Sequence, residues 1–339
     1  MGRNSNVKRR RRGCLTGCLP RLVVLLGLAA LLFVLATMTG LIVNDPVTGK
    51  PAFSTQNLHM PDLTQLNLQN LKLPQINLSG LPFQMPKLEW AYGLESRGLS
   101  VKILRAGSGE AVLVCCDGYT LLAGTGDNGL LTCGQLLLCG VNHLDALVAD
   151  GTGAGYLGGM KDVIGFMKPR YLFYQDSVVK DERYNAMLQA ADKVRDLQKV
   201  VPRPGTTFNL GRGRVSFVGP VWTSHRDERD DSLSLRVDYG QVSVLLAGGI
   251  TQGGETELVR ENVRNLPASL LICSLGGGEE GSSRDFIRAV EPEYAVTTAE
   301  KAAGSVSIRL IQEGIQVAST ADNGVMTFAS DGQTLRFLP

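Results

Sequence analysis

Hydrophobic and polar positions follow three different rhythms along this chain. Between Leu22 and Val43 there is none: 22 consecutive residues carry no charge and are mostly Leu, Val and Ala. A helix of that length crosses a hydrocarbon core of about 30 Å, so the segment predicts a transmembrane helix over 22–43. From 44 to 90 leucines recur every five residues, at Leu63, Leu68, Leu73 and Leu78, with Leu66, Leu71, Ile76 and Leu81 as a second series. So few repeats do not stack into a solenoid with its own core. Pro61, Pro74, Pro82 and Pro86 favour an extended chain, and the stretch predicts a Leu/Asn/Pro-rich stalk.

The body, 91–339, changes rhythm again. Short runs rich in Val, Leu and Ile, bounded by Gly, Asp and Asn, predict strands at Val101–Leu104, Ala111–Val114, Thr120–Leu122, Ala146–Val148, Tyr171–Tyr174 and Arg214–Val218. Further strands are predicted at Leu233–Val237, Val242–Leu246, Leu270–Ile272, Tyr294–Val296, Ile315–Ala318 and Val325–Ala329. Apolar residues at helical spacing, Tyr184, Met187, Leu188, Ala191 and Val194, predict a helix over Arg183–Lys199. Shorter helices are predicted at Thr256–Val263, Arg284–Val290 and Val306–Glu313. Two runs of strands, each followed by helices, predict a mixed α/β (α+β) fold: two sheets face to face, with helices on both outer faces.

Charge orients the chain and narrows its partners. Arg3, Lys8, Arg9, Arg10, Arg11, Arg12 and Arg21 precede the apolar run, and no acid occurs before Asp45. This excess of cations predicts a cytoplasmic tail over 1–21, an uncleaved signal anchor and an extracytoplasmic body. The apolar run exceeds that of a cleaved signal peptide. Beyond the tail, 27 of the 34 basic residues face all 32 acids. An acidic body argues against broad phosphate-backbone binding, which draws on clustered Lys and Arg. Cys115, Cys116, Cys133, Cys139 and Cys273 are odd in number in a large domain, so no disulfide scaffold is expected, while Cys133 and Cys139 are spaced to close a small loop. Cys14 and Cys18 read as juxtamembrane thiols, with acylation as the alternative.

The order of motifs carries more information than any one of them. Arg105-Ala106-Gly107-Ser108-Gly109-Glu110-Ala111 stands where a D-V-G-Q-G-D-A turn would, and Gly124-Thr125-Gly126 where a strand would end in D-A-G. Residues 144–159, LDALVADGTGAGYLGG, follow the frame L-D-x-L-V-x-T-H-x-H-x-D-H-x-G-G. Residues 232–240, SLSLRVDYG, resemble S-L-V-L-R-L-x-Y-G; 245–249, LLAGG, stand for L-L-T-G-D; 276–279, GGGE, stand for H-H-G-S. The stretch 286–296, FIRAVEPEYAV, matches F-L-x-A-V-x-P-x-Y-A-V almost throughout. From about Leu99 onward, the chain resembles the metallo-β-lactamase-like C-terminal domain of ComEC-type competence proteins. The resemblance implies a four-layer αββα sandwich, here preceded by one transmembrane helix.

The same resemblance implies that the chemistry has been lost. The first histidine pair of the pattern falls on Gly151 and Gly153, and the following Asp-His on Gly155 and Tyr156. The bridging Asp falls on Gly249, the late histidine pair on Gly276 and Gly277, and the D-A-G acid on Gly124. Zinc requires N, S or O ligands to hold it and to acidify bound water, and glycine offers no side chain. His59, His143 and His225 are the only histidines, and none falls on a ligand position. No metal, cofactor or catalytic residue is therefore expected.

Other constellations compete with this frame. Gly153-x-Gly155-x-x-Gly158 after a strand, with Asp176 about 20 residues on, is a formal dinucleotide fingerprint. A turn lengthened by Asp150, Gly151 and Thr152, and a downstream order not read as alternating strand and helix, oppose it. Glu110, Asp150, Glu279 and Glu280 are candidates for paired carboxylates or a single cation site. Residues 226–231, RDERDD, read as a charged loop, and His143 and His225 as surface or hydrogen-bonded structural residues. The expectation is a membrane-anchored, exported pseudo-hydrolase that binds or assembles with a protein or cell-surface ligand, with nucleic acid disfavoured. The alternatives are an enzyme with a remodelled metal-free or single-cation site, and a nucleotide-binding protein.

Overall fold

The computed structural model of the chain describes residues 42–44, 51–53, 97–176, 181–298 and 304–338. The chain divides into two units, 1–83 and 84–339. In the first, β1 (Ile42–Asn44) pairs antiparallel with β2 (Pro51–Phe53). Ile42 and Val43, at the C-terminal end of the apolar run, are therefore strand residues. The rest of 22–43 and of 54–90, and the basic tail, lie outside the described residues.

The second unit holds two sheets. The larger is built from β3 (Leu99–Ile103), β4 (Val112–Cys116), β5 (Tyr119–Ala123), β6 (Ala146–Val148), β7 (Tyr171–Phe173), β8 (Gln198–Val200), β16 (Met326–Ser330) and β17 (Leu335–Leu338). Its order is β17-β16-β3-β4-β5-β6-β7-β8. The smaller contains β9 (Thr207–Leu210), β10 (Gly213–Gly219), β11 (Ser234–Tyr239), β12 (Val242–Leu246), β13 (Leu270–Ile272), β14 (Tyr294–Thr297) and β15 (Gln316–Ser319), in the order β15-β14-β13-β12-β11-β10-β9.

Alternation along each strand distributes side chains between layers. In β4, Val112, Val114 and Cys116 enter a core shared by both sheets, with Val215, Phe217, Val244 and Ile272 from the opposite sheet. Leu113 and Cys115 point the other way, into a cluster with Leu136, Met160, Ile164 and Met187 from the helices Gly129–Leu138, Met160–Met167 and Glu182–Lys193. Leu245, Leu271 and Ala295 likewise pack beneath the helices Gln252–Asn262, Arg284–Val290 and Gly304–Gln312. The layers are helix, sheet, sheet, helix, as expected. Strands buried on both faces read as continuous apolar runs, which is why their positions were predicted within two residues.

Two expectations are corrected. β5 through β8 are all parallel, with helices between them, as are β12 through β15. Alternating strand and helix is thus present in both halves. The helix predicted over Arg183–Lys199 ends at Lys193; Val194 is extended and Asp196 has φ +67°. The chain then pairs as β8 with β7, because Val200 can bury against the shared core only as strand.

Candidate functional site

The cleft lies where the parallel strands of both halves end. β5 runs into Gly124, β6 into Asp150 and Gly151, β12 into Gly248 and Gly249, β13 into the tight turn holding Gly276 and Gly277, and β14 into Thr298. Backbone bonds join these ends: Gly124 N donates to Val148 O at 3.0 Å, Gly249 N to Asp150 O at 2.8 Å and Thr298 N to Gly276 O at 3.0 Å. Gly124, Gly151, Gly249, Gly276 and Gly277 are all buried there, while Gly153 is exposed at the start of the four-residue helix Ala154–Leu157.

Tyr156 fills the space that Gly151 and Gly249 leave. A Cβ placed on Gly151 would lie 2.3 Å from Tyr156 Cγ, and one on Gly249 would lie 3.4 Å from Tyr156 Cε2 and 3.0 Å from Gly151 Cα. The ring's hydroxyl reaches toward Gly248 O at 3.4 Å. Its backbone is fixed from behind, because Tyr156 O accepts from Thr125 N at 3.1 Å and from Thr125 Oγ1 at 2.9 Å. The tyrosine thus covers the positions where the pattern has its first histidine and its bridging acid. A two-zinc centre does not fit these residues. Among the described residues no group of three or more His, Cys, Asp or Glu side chains converges on one point.

Beneath the ring are two carboxyls. Glu110 and Asp150 are 1% and 0% exposed. Thr298 Oγ1 donates to Glu110 Oε2 at 3.1 Å, while Glu110 Oε1 and both carboxyl oxygens of Asp150 have no donor. Burial pushes Glu110 up to about 7. It raises Asp150 well above the usual carboxylate range, and the charge of Glu110 adds to the rise. Of the four acids expected near the cleft, these two are buried. Glu279 and Glu280 are exposed, and Glu280 pairs with Arg229 at 2.6 Å.

A second polar cluster, unread in the sequence, lies beside β13. Buried Glu255 accepts from Ser274 Oγ, from Ser282 N and, at 2.7 Å, from Ser283 N, which ties the helix Gln252–Asn262 to the turn after β13. His225 forms a third. Its Nδ1 lies 2.8 Å from Asp231 Oδ1 and its Nε2 lies 2.6 Å from Glu257 Oε2. The reading of 226–231 as a charged loop is corrected: Asp230 and Asp231 are buried, and Asp230 Oδ1 accepts from Thr251 N and Oγ1, both at 2.8 Å. The signal that could have found it is a lone histidine just before a run of acids, with a Thr that caps a helix further on.

Of the three glycines of the dinucleotide fingerprint, Gly155 and Gly158 are spent on packing, while Gly153 is exposed in open space. Gly155 lies against Gly109, with 3.1 Å from its would-be Cβ to Gly109 Cα, and a Cβ on Gly158 would meet Asp127 Cα at 2.7 Å. Cys133 and Cys139 are free thiols, as are Cys115, Cys116 and Cys273. Between Tyr184, Gln175, Ser232 and Gly151 the cleft opens into a cavity of about 120 Å³. Among the described residues no helix is long and apolar enough to cross a membrane, and most of the predicted span lies outside them.

No protein-family model matches the chain. It is 27% identical over 238 residues to the competence protein ComA of Neisseria gonorrhoeae, a match that covers 68% of this chain and 32% of ComA. The chain thus spans about a third of that relative's length. Among solved structures it is similar to the metallo-β-lactamase fold protein YhfI of Bacillus subtilis, with 12% identity, TM-score 0.48, and coverage of 68% of this chain and 99% of that one. It is also similar to Igni18, a metallo hydrolase of Ignicoccus hospitalis, with 15% identity, TM-score 0.45, and coverage of 68% and 98%. The layers make the body a four-layer αββα sandwich, two facing sheets with helices on both outer faces.

Proposed function

We propose that this metallo-β-lactamase-type body is a pseudo-hydrolase, carried on the outer side of a membrane by the apolar segment 22–43, and that it binds or assembles with a partner instead of hydrolysing a substrate. The observation that carries the reading is the seat of Tyr156 between Gly151 and Gly249. A histidine restored at Gly151 would place its first side-chain atom 2.3 Å from the ring, closer than any packed pair of carbons. Catalysis by this fold depends on metals that polarise the substrate and activate water, and the side chains here supply a phenol and two buried carboxyls in their place. Fold alone does not establish activity, so the claim rests on these residues.

The experiment is direct. The purified chain, incubated with zinc and with manganese, is assayed for phosphodiesterase and lactonase activity, and no turnover above the metal-only blank is expected. Turnover abolished by Asp150→Asn or Glu110→Gln would show instead a remodelled single-cation enzyme. Anchoring is tested separately: after alkaline carbonate extraction the chain should stay in the membrane pellet, and its release would contradict the anchor. The similarity to ComA favours a process related to competence as the setting for such a module.

A further inference from the structure

The cavity between Tyr184, Gln175, Ser232 and Gly151, about 120 Å³ in volume, has room for a head group or the end of a side chain; sites for whole small molecules start at about 300 Å³. Its walls are of two kinds. One is apolar: Leu157 and Tyr184 belong to the cluster beneath the helices, with Tyr174 packed against it, and the two tyrosine rings stand 6.2 Å apart, tilted by 59°. The hydroxyl of Tyr184 is already given to Gln175 O at 2.9 Å. The other wall is the segment that carries Glu228, Asp231 and Ser232, and Asp181 adds a third acid. Among the described residues no Lys or Arg lines the cavity. Arg183 offsets Asp181 at 2.9 Å and His225 lies 2.8 Å from Asp231, while Glu228 is exposed and has no ion pair among the described residues. Ser232 is 2% exposed, and its Oγ meets no partner. A buried hydroxyl left alone carries a cost that a ligand able to donate a hydrogen bond removes. The three acids do not converge on one point, as a metal ion requires. Aromatic faces beside carboxylates attract an organic cation. A lysine side chain joins a flexible four-carbon stem to a compact ammonium with three donors and no acceptor, and so matches both walls.

We infer that this cavity receives the side chain of a lysine presented by a partner protein, with the stem against Leu157, Tyr174 and Tyr184 and the ammonium toward the acids and the Ser232 hydroxyl. The inference rests on the reading of the body as a binding module and names the chemistry of what that module binds. It draws on neither Tyr156 nor the carboxyls beneath it.

The test uses the full chain in detergent with isotope-labelled tyrosine rings, the signals of Tyr174 and Tyr184 being assigned through Tyr174→Phe and Tyr184→Phe. The probe is Nα-acetyl-lysine methylamide. It should shift both signals saturably, with a Kd of about millimolar, the strength expected of a few buried atoms. The norleucine analogue keeps the stem without the ammonium and should bind about tenfold more weakly or worse, since it loses the charge-assisted hydrogen bonds. Ethanolamine, which has the ammonium without the stem, should also bind more weakly. Glu228→Gln, at an exposed position, should weaken the lysine compound about threefold and leave the urea midpoint unchanged. Titration calorimetry on the wild type and Glu228→Gln gives the same constants if the tyrosine variants do not fold. Equal binding of the lysine and norleucine compounds, no saturation, or a Glu228→Gln chain that binds as the wild type does overturns the inference. Ethanolamine bound as tightly as the lysine compound would mark a lipid-type head group and overturn the assignment to lysine. The two readings fail separately: turnover in the phosphodiesterase or lactonase assay overturns the pseudo-hydrolase, whereas an inert chain that does not bind the lysine compound overturns the lysine site alone.

Discussion

Tyr156 and Gly151 form a pair in which each residue makes sense only through the other. The ring needs a neighbour without a side chain, and the glycine leaves a void without the ring. Gly151→Ala should therefore force the ring or the strand end to move and destabilise the protein by about 1–3 kcal/mol, the range for overpacking. In a Tyr156→Ala background the same methyl enters empty space, so its cost should vanish. A double-mutant cycle in urea should give a coupling energy of at least about 1 kcal/mol. Additive effects would mean that the ring does not sit where the close approach of 2.3 Å places it. The glycine positions themselves were legible, because the motif frame around them survives. Tyr156 as the group that fills them was not, since nothing in the spacing shows a side chain folding back over its own strand end.

At the scale of elements, His225 clips the 220–231 segment to the helix Gln252–Asn262. Burial opposes its protonation, but the hydrogen bonds it donates to Glu257 and Asp231 outweigh it and raise the imidazole above its ordinary value. That stabilisation is complete below the usual histidine value near 6.5 and is lost as pH rises through the folded value. His225→Ala should cost about 2 kcal/mol at about pH 6, the scale of charge-assisted hydrogen bonds, and less at about pH 9. Amide exchange within Gln252–Asn262 reports it, and equal loss at both pH values would contradict a charged clip. Such contacts explain where prediction from sequence stops. β6, β12, β13 and the helix Arg284–Val290 were predicted to the residue, since buried apolar runs and the caps Ser283 and Glu291 mark them locally. The helix Gly129–Leu138 was missed because two glycines, a threonine and a cysteine interrupt its leucines; its cap, Asn128 accepting from Leu131 N at 3.0 Å, is its clearest local signal. β8 and β9 are short and partly exposed, so pairing rather than composition defines them.

Across the whole molecule the two sheets are joined at the end opposite the cleft. Asp117, in the turn between β4 and β5, accepts from Arg212 Nε and Nη2, both at 2.8 Å, and from Tyr239 Oη at 3.1 Å, so one acid on the larger sheet binds two residues of the smaller. Arg212 holds this carboxyl well below the usual carboxylate range, with the Gly98 and Arg212 backbone N–H groups adding to the effect. Its contribution is present above the ordinary aspartate value and lost as pH falls through the folded one. Asp117→Ala should cost about 2 kcal/mol at neutral pH and little in strong acid, as read by thermal unfolding; a penalty independent of pH would show that the carboxylate charge is immaterial.

One end of the body is clamped by Asp117, and at the other Tyr156 closes over Gly151 and Gly249. Metal content measures that most directly: the purified chain is equilibrated with zinc and with manganese, freed of unbound metal, and analysed by elemental spectroscopy. Far less than one metal ion per chain is expected, and about two per chain would show a working two-metal centre.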